Sequence, residues 1–328
     1  LARNVYSEPN TRAGSSKGAA PLALGMSAPT PSDADPLSLH GVVPPTVTAF
    51  DDDGDLDAET TAAHARFVVD RGVHGVFPLG TNGEFALLGP EERDEVVRAV
   101  VDEVGDEVPV IAGVGEPATR RTVERAEAAE AAGADGVVVV TPYYYPLDGD
   151  AAVEHYRTVC AAVDCPVYVY HIPSKTGNDL ALDTLAEIAD IDNLAGLKDS
   201  SKDVPWLGQA VAAHDDLTFL AGSDSLLKPG LDLGCTGMVS AVANAFPELV
   251  VELYEAYDAG DADRAAELQA EVYEVRQAIK RGPYMAGVKE ALSHRGFDAG
   301  PLRSPLRRMN DDDSEALRDD LAALGLLE

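Results

Sequence analysis

Gly136-Val137-Val138-Val139-Val140-Thr141 is the most informative stretch of this sequence. Four consecutive valines lack the apolar–polar alternation of a half-exposed strand. They predict a strand buried on both faces, as in a parallel sheet covered by helices. Segments with helical apolar periodicity lie on either side of it, at 119–132 and 153–163. Buried strands that alternate with amphipathic helices predict an α/β fold.

The same alternation continues in both directions along the chain. The predicted strands are 42–48, 75–79, 108–112, 136–141, 166–171, 194–198, 217–221 and 236–240. Successive strands lie about 20 to 35 residues apart, close to the length that a βα unit requires. Eight such units favour a (β/α)8 TIM barrel over an open doubly wound sheet.

The chain divides into three predicted regions. Residues 1–39 are rich in Pro, Ser, Ala and Gly, and we expect a disordered N-terminal extension or a cloning remnant, with Met26 as a plausible natural start. Residues 40–260 form the barrel. Residues 261–328 form C-terminal helices, with the segments 261–280 and 283–294 and a last helix that ends near Leu324. We expect this appended layer to serve packing or contact between subunits.

The composition is strongly acidic. Asp and Glu number 57 against 25 Lys and Arg, which gives a net charge of −32. Such a charge repels nucleic acid and anionic membranes and is typical of proteins from a high-salt cytoplasm, where salt screens the repulsion. The three cysteines have no metal-ligand spacing and predict free thiols in a reducing cytoplasm, and no apolar run is long enough to span a membrane.

Lys198 stands out at the end of the sixth predicted strand, in Gly196-Leu197-Lys198-Asp199-Ser200. In a barrel, chemistry collects where strands end. A lysine held in an apolar strand tends to lose its proton and to attack carbonyl groups, forming a Schiff base. The alternative is a lysine whose stem packs while its ammonium group reaches solvent.

Two further strand ends carry side chains suited to anion binding or to proton transfer. Gly80-Thr81-Asn82-Gly83-Glu84 predicts a tight turn whose N–H groups and short polar side chains can hold a carboxylate or phosphate, although Asn-Gly turns are also common without a ligand. Glu84 is expected to hold the loop. Tyr170 has the position of a phenolic acid/base, whereas His171 is expected to be a hydrogen-bonded structural group.

The remaining strand ends are less specific. The tyrosine segment 143–145 predicts either interface packing or one residue in a site, and Ser223 and Asp224 are suited to substrate hydroxyls. No metal-binding spacing and no nucleotide-binding glycine motif occurs in the sequence, so we predict no metal and no cofactor. A lysine, a tyrosine and an anion-binding turn on one barrel indicate amine chemistry on a 2-oxo acid.

The sequence resembles the dihydrodipicolinate synthase / N-acetylneuraminate lyase family of pyruvate-dependent class I aldolases over about residues 41–295. The segments that carry the resemblance, in order, are 43–50 (VPPTVTAF), 80–84 (GTNGE), 141–144 (TPYY), 169–177 (VYHIPSKTG) and 196–200 (GLKDS). Any one of these segments is weak, and five in the same order are specific.

The resemblance implies a role for each matching residue. Lys198 forms the Schiff base and Tyr170 is the general acid/base. Thr81 and Tyr144 complete a proton relay, with Tyr144 reaching into the neighbouring subunit. Gly80, Thr81 and Asn82 hold the pyruvate carboxylate. The family further implies a cytoplasmic homotetramer, a dimer of dimers, that acts on a small 2-oxo acid and an aldehyde.

Two positions depart from the dihydrodipicolinate synthases, in which the turn usually carries two threonines and an arginine stands where Lys175 is. Asn82 and Lys175 here favour a 2-keto-3-deoxy-(6-phospho)gluconate aldolase, with Ser174, Lys175, Ser223 and Asp224 receiving sugar hydroxyls or a phosphate. 4-Hydroxy-tetrahydrodipicolinate synthase is the second reading. A barrel that binds a 2-oxo acid without turnover is the third, and the pair of Lys198 and Tyr170 argues against it.

Overall fold

The computed structural model describes residue 37 and residues 39–327. Its main sheet has seven strands, which are β1 (Gly41–Val42), β4 (Ile111–Gly113), β5 (Gly136–Val140), β6 (Val167–His171), β7 (Leu194–Asp199), β8 (Thr218–Ala221) and β9 (Gly237–Met238). Their order in the sheet is β1-β9-β8-β7-β6-β5-β4, and every pair is parallel.

The segment 75–78 closes the sheet into a barrel between β1 and β4. Val76 forms a parallel bridge with Val110, and the Phe77 N–H donates to the Pro44 carbonyl at 3.0 Å. Pro44, Pro45 and Pro78 have no N–H to donate, which interrupts the regular ladder. The second predicted strand is therefore present as an irregular eighth strand of the barrel. Regular pairing of the first predicted strand stops at Val42.

A short antiparallel hairpin of β2 (Ala49–Phe50) and β3 (Leu56–Asp57) lies outside the barrel sheet. The sequence pattern did not predict this hairpin, since the first predicted strand ends at residue 48. Asp57 is the N-cap of the next helix, as predicted, and accepts a hydrogen bond from the Thr60 N–H at 2.9 Å.

The helices follow the strands as a βα barrel requires. The helices around the barrel are α1 (Ala58–Val69), α2 (Pro90–Val104), α3 (Thr119–Ala131), α4 (Gly149–Cys160), α5 (Pro173–Thr176), α6 (Leu182–Ala189), α7 (Val204–Ala213), α8 (Leu227–Asp232) and α9 (Pro247–Asp258). The short helices α5 and α8 were not predicted. The C-terminal layer consists of α10 (Ala262–Ile279), α11 (Tyr284–His294) and α12 (Asp311–Ala323), in the predicted places.

The valines of β5 separate two cores. Val137 and Val139 pack outward with the residues of the helices, whereas Val138 and Val140 belong to a smaller cluster inside the barrel that includes Phe77. This alternation is the period of two expected of a strand, with both faces buried. The valine run thus supports both layers of the fold.

Part of the region assigned to the N-terminal extension belongs to the barrel. Leu39 is buried inside the barrel cluster, and the Leu37 carbonyl accepts a hydrogen bond from the Tyr168 hydroxyl at 2.9 Å. The rest of the predicted extension, residues 1–36 and 38, lies outside the described residues. Among residues 37 and 39–327, no helix is both long and apolar enough to cross a membrane.

Replacement of Val138 by Ala tests the inner core. We expect Val138→Ala to lower the free energy of unfolding by about 2–3 kcal/mol, because it removes two buried methyl groups and leaves a cavity. Val204, which is 38 % exposed on α7, supplies the matched control. Val204→Ala should change stability by about 0.5 kcal/mol or less. Denaturant unfolding of the three proteins makes the comparison, and equal losses for both variants would contradict the two-sided burial of β5.

Candidate active site

Lys198 and Tyr170 are neighbours inside the barrel. They are Cα partners in the parallel pairing of β6 with β7, so both side chains point to the same face. Lys198 is only 4 % exposed, and its Nζ lies 3.7 Å from the centroid of the Tyr170 ring and 5.1 Å from that of Phe77. The amine is therefore held against two aromatic faces at the carboxyl ends of the strands.

Gly222, directly after β8, makes room for the lysine. A Cβ atom at this position would lie 3.0 Å from Lys198 Cε and 2.3 Å from Ser200 Oγ. The Gly222 N–H donates to the Asp199 carbonyl at 2.7 Å, and Ser200 Oγ donates to the Gly222 carbonyl at 2.8 Å. These close contacts require a glycine and set the path of the Lys198 side chain.

The predicted anion-binding turn reaches the hydroxyl of Tyr170. Gly83 N–H donates to the Gly80 carbonyl at 3.1 Å, which closes the turn, and Thr81 Oγ1 lies 3.4 Å from the Tyr170 hydroxyl. Asn82 is buried, and its Nδ2 has no hydrogen-bond partner. An unpartnered amide that lines the cavity can donate to an oxygen of a bound ligand.

The pKa of the Tyr170 phenol is lowered. Burial alone raises this pKa, but the charge of Lys198 and the hydrogen bonds from Thr81, Lys198 and Ser200 together outweigh the effect of burial. A lower pKa lets a larger fraction of the phenol exist as phenolate near neutral pH, which suits a general base.

These side chains open into a cavity of about 610 Å³. Of the residues predicted from the sequence, the structure brings Thr81, Asn82, Tyr170, Ser174, Lys175, Lys198, Ser223 and Asp224 to its wall. Gly80 belongs to the turn without lining the cavity. Within the described part of the chain, no group of three or more His, Cys, Asp or Glu residues is placed to hold a metal ion.

Asp224 is already engaged by protein groups. Its Oδ1 accepts from Ser240 Oγ at 2.6 Å and from the Val242 N–H at 3.2 Å, and its Oδ2 accepts from the Tyr284 hydroxyl at 2.6 Å. The carboxylate therefore holds the loops after β8 and β9 together and orients Tyr284, which also lines the cavity.

Tyr144 is not brought to the cavity of its own subunit. Its side chain is 83 % exposed, it contacts Tyr145 edge to face at 5.0 Å, and its backbone has φ of 80°. Such a backbone conformation is strained for a tyrosine and is often found at functional sites. His171, by contrast, is buried between Asp199 at 2.9 Å and Asp179 at 2.7 Å, which agrees with the structural role predicted for it.

Several cavity residues were missed by the sequence analysis. Arg276, Tyr284 and Arg307 come from the C-terminal layer, and Lys202 follows β7. Their local patterns are those of ordinary helix and loop residues, so nothing near them in sequence marks a site. The scarcity of cations in so acidic a chain is the one signal that could have drawn attention to them.

Comparison with known proteins agrees with the resemblance. A sequence profile of the dihydrodipicolinate synthetase family matches residues 38–324. A protein of Halobacterium salinarum named as an uncharacterized DapA-like lyase is 76 % identical over 300 residues, which cover 92 % of this chain and 99 % of that protein. A 4-hydroxy-tetrahydrodipicolinate synthase of Haloarcula marismortui is 37 % identical over 88 % of this chain and 94 % of its own length.

A solved structure extends the match to three dimensions. The structure of YagE from E. coli K12, described as a prophage protein of the dihydrodipicolinic acid synthase family in complex with pyruvate, superimposes with a TM-score of 0.84 at 34 % identity. The match covers 88 % of this chain and 99 % of YagE. The (β/α)8 barrel and its C-terminal helices are thus confirmed. The chain belongs to the dihydrodipicolinate synthetase family and is a pyruvate-dependent class I aldolase, a lyase.

Proposed function

We propose that this aldolase cleaves 2-keto-3-deoxygluconate, its 6-phosphate or both, to pyruvate and glyceraldehyde or glyceraldehyde 3-phosphate. The observation that carries the proposal is one cavity that holds Lys198 beside Tyr170 and has cationic side chains farther out. The inner groups suit the 2-oxo acid end of the substrate. The outer groups suit its polar, anionic end.

Lys198 forms the covalent intermediate in this proposal. Its unprotonated amine attacks the C2 ketone, and loss of water gives a protonated imine. Tyr170 as phenolate takes the proton from the C4 hydroxyl, and the C3–C4 bond breaks. The bonding electrons enter the imine to give an enamine while the aldehyde leaves. Protonation of the enamine at C3 and hydrolysis release pyruvate and restore the lysine.

Thr81 and Asn82 assist proton transfer and bind the substrate carboxylate in this proposal. Thr81 hydrogen-bonds the Tyr170 phenol and can pass a proton, while the turn N–H groups and the free Asn82 amide receive the substrate carboxylate. The exposed, strained Tyr144 completes the relay from a second copy of the chain. We therefore propose a homotetramer built from dimers, in a cytoplasm of high salt.

The outer cations support a substrate with a second anionic group. Lys175, Lys202 and Arg307 are exposed at the cavity. Arg276 is 12 % exposed, and its Nε lies 3.9 Å from Asp224 Oδ2 without a hydrogen-bond partner. Burial lowers the pKa of the neighbouring Lys280, and the charges of Arg276 and Lys202 lower it further. A cluster of cations in a chain of net charge −32 supports the binding of a phosphate group.

4-Hydroxy-tetrahydrodipicolinate synthase is the second candidate, and the printed names of the relatives at 37–38 % identity favour it. In that reaction the enamine of pyruvate condenses with aspartate semialdehyde. The presence of Lys175 argues against this synthase activity. A lysine offers a point charge, whereas an arginine there grips a carboxylate with two parallel hydrogen bonds.

The first test is covalent trapping. Incubation with pyruvate and borohydride should reduce the imine and label Lys198, and Lys198→Ala should abolish both labelling and activity. Lys228, which pairs with Asp232 on α8, is the matched control, and Lys228→Ala should leave labelling unchanged. Peptide mass spectrometry locates the adduct. An adduct on another lysine, or an active Lys198→Ala enzyme, contradicts the assignment.

The second test compares substrates. Pyruvate release from ketodeoxygluconate or its 6-phosphate should be appreciable. Consumption of pyruvate in the condensation with aspartate semialdehyde should be weak. Arg276→Met should lower kcat/KM for the 6-phosphate about tenfold more than for the unphosphorylated acid, since it removes a charge-assisted contact.

Arg264→Met is the control for Arg276→Met. Arg264 lies on the same helix and pairs with Glu252 outside the cavity, so its loss should leave the ratio unchanged. Activity in the condensation alone would overturn the proposed substrate.

The third test concerns the Thr81–Tyr170 contact. Thr81→Val removes a hydrogen bond that lowers the pKa of Tyr170, so this pKa should rise and kcat should fall by about 10- to 100-fold near neutral pH. The limb of the pH–rate profile on which Tyr170 loses its proton should move to higher pH. Ultraviolet difference titration against Tyr170→Phe measures the phenol directly.

Thr141→Val is the matched control for Thr81→Val. The Thr141 hydroxyl donates to the main-chain carbonyl of Tyr170 at 3.2 Å and not to the phenol, so this variant should leave the phenol pKa unchanged. A phenol pKa that does not move in Thr81→Val would remove Thr81 from the relay.

A further inference from the structure

Glu84 is the last residue of the anion-binding turn 80–84. Its N–H donates to the Thr81 carbonyl at 3.2 Å, and its backbone is left-handed with φ of 53°. Its side chain is fully buried. A carboxylate in such a place is not a surface group, and its contacts bear on the turn that holds Thr81 and Asn82.

The contacts of Glu84 come from the C-terminal layer. Lys289 of α11 places its Nζ 3.0 Å from Glu84 Oε1, and the Arg303 N–H donates to Glu84 Oε2 at 2.9 Å. Lys289 also donates to the Pro301 carbonyl at 2.8 Å and lies 4.7 Å from the centroid of the Phe50 ring. The carboxylate is therefore held between α11 and the segment that follows it.

The ion pair is costly to bury and sensitive to the loss of either partner. Burial raises the pKa of Glu84, with Lys289 and Arg303 opposing it, and burial lowers the pKa of Lys289, with Glu84 opposing it. Each partner thus favours the charged form of the other, against the effect of burial. A buried pair contributes little net stability compared with apolar residues of similar size, so its presence calls for another explanation, such as positioning.

The same helix also contacts Asp224 in the cavity wall. Tyr284, in the first turn of α11, donates to Asp224 Oδ2 at 2.6 Å, and Asp224 holds the loops after β8 and β9. Met285, the next residue of this helix, lines the cavity. One helix outside the barrel is therefore anchored to the ends of two different strands.

We propose that Lys289 is a positioning residue of the pyruvate site, which acts through Glu84 to set the turn that carries Thr81 and Asn82. The C-terminal layer then belongs to the active site and is more than packing. The inference depends on the lysine–pyruvate chemistry of the family and not on the choice of aldehyde. Failure of the proposed sugar-acid substrate leaves it standing.

The experiment measures the pyruvate concentration that gives half-maximal borohydride labelling of Lys198. The variants are Glu84→Gln, Lys289→Met and the double variant Glu84→Gln/Lys289→Met, in which no charge is left buried alone. Each folded variant should need at least fivefold more pyruvate than the natural chain, because the carboxylate is held by a displaced turn. Labelling at saturating pyruvate should persist, since Lys198 itself is untouched.

Two further variants separate positioning from stability. Lys289→Arg keeps the charge and should bring the pyruvate requirement back to within about twofold. Arg295→Met removes a cation at the end of the same helix that pairs with Glu248 and does not contact the turn. It should lower the unfolding temperature and leave the pyruvate requirement unchanged.

The assignment is overturned by a folded double variant with the pyruvate dependence of the natural chain. It is also overturned if all three Glu84 and Lys289 variants fail to fold, because the ion pair is then a determinant of folding. An equal increase of the pyruvate requirement in Arg295→Met and Lys289→Met would also overturn it, because the effect would then be general destabilisation.

Discussion

The register between β6 and β7 is the constraint on which the site depends. Val169 pairs with Leu197, and the next pair in the ladder is Tyr170 with Lys198. Because side chains alternate between the two faces of a strand, a slip of one residue would turn Lys198 outward among the helices. Leu197 belongs to the outer core and Tyr168 to the inner one, so apolar burial on both faces penalises such a slip. The packing of the barrel thus determines which groups meet at its rim.

The charged side chains of the cavity wall are mostly cationic, whereas the whole molecule is strongly acidic. The chain carries a net charge of −32, yet the cavity wall is lined by Lys175, Lys202, Arg276 and Arg307 besides Lys198. The buried carboxylates at the ends of β7 and β8 are engaged by protein groups. Asp199 contacts His171 and Ser201. Asp224 contacts Ser240, Tyr284 and, at 3.9 Å, Arg276. A surface charge that high salt screens therefore coexists with a local field that attracts an anionic substrate.

The C-terminal layer contributes part of the cavity wall. Arg276 and Tyr284 enter it from α10 and α11, and Arg307 enters from the segment before α12. Arg303 joins that segment to the barrel by a bidentate pair with Glu92, at 2.6 and 2.7 Å, and by a contact with the Phe50 ring. The outer part of the cavity is therefore lined both by residues that follow barrel strands, such as Lys175 and Lys202, and by residues of the C-terminal layer.

The sequence by itself determined the barrel and indicated Lys198, Tyr170 and the turn at Thr81 as candidate site residues. Valine runs, helix periodicity and strand-end positions are local signals, and Lys198, Tyr170 and the turn at Thr81 each carry one. Only the tertiary structure decided that Glu84 pairs with Lys289, that Asp224 is held by Tyr284, that Arg276 faces the cavity and that Tyr144 faces away from it. These contacts join residues up to 205 positions apart, as in the pair of Glu84 and Lys289. No local pattern specifies them, because they follow from where the C-terminal helices pack against the closed barrel.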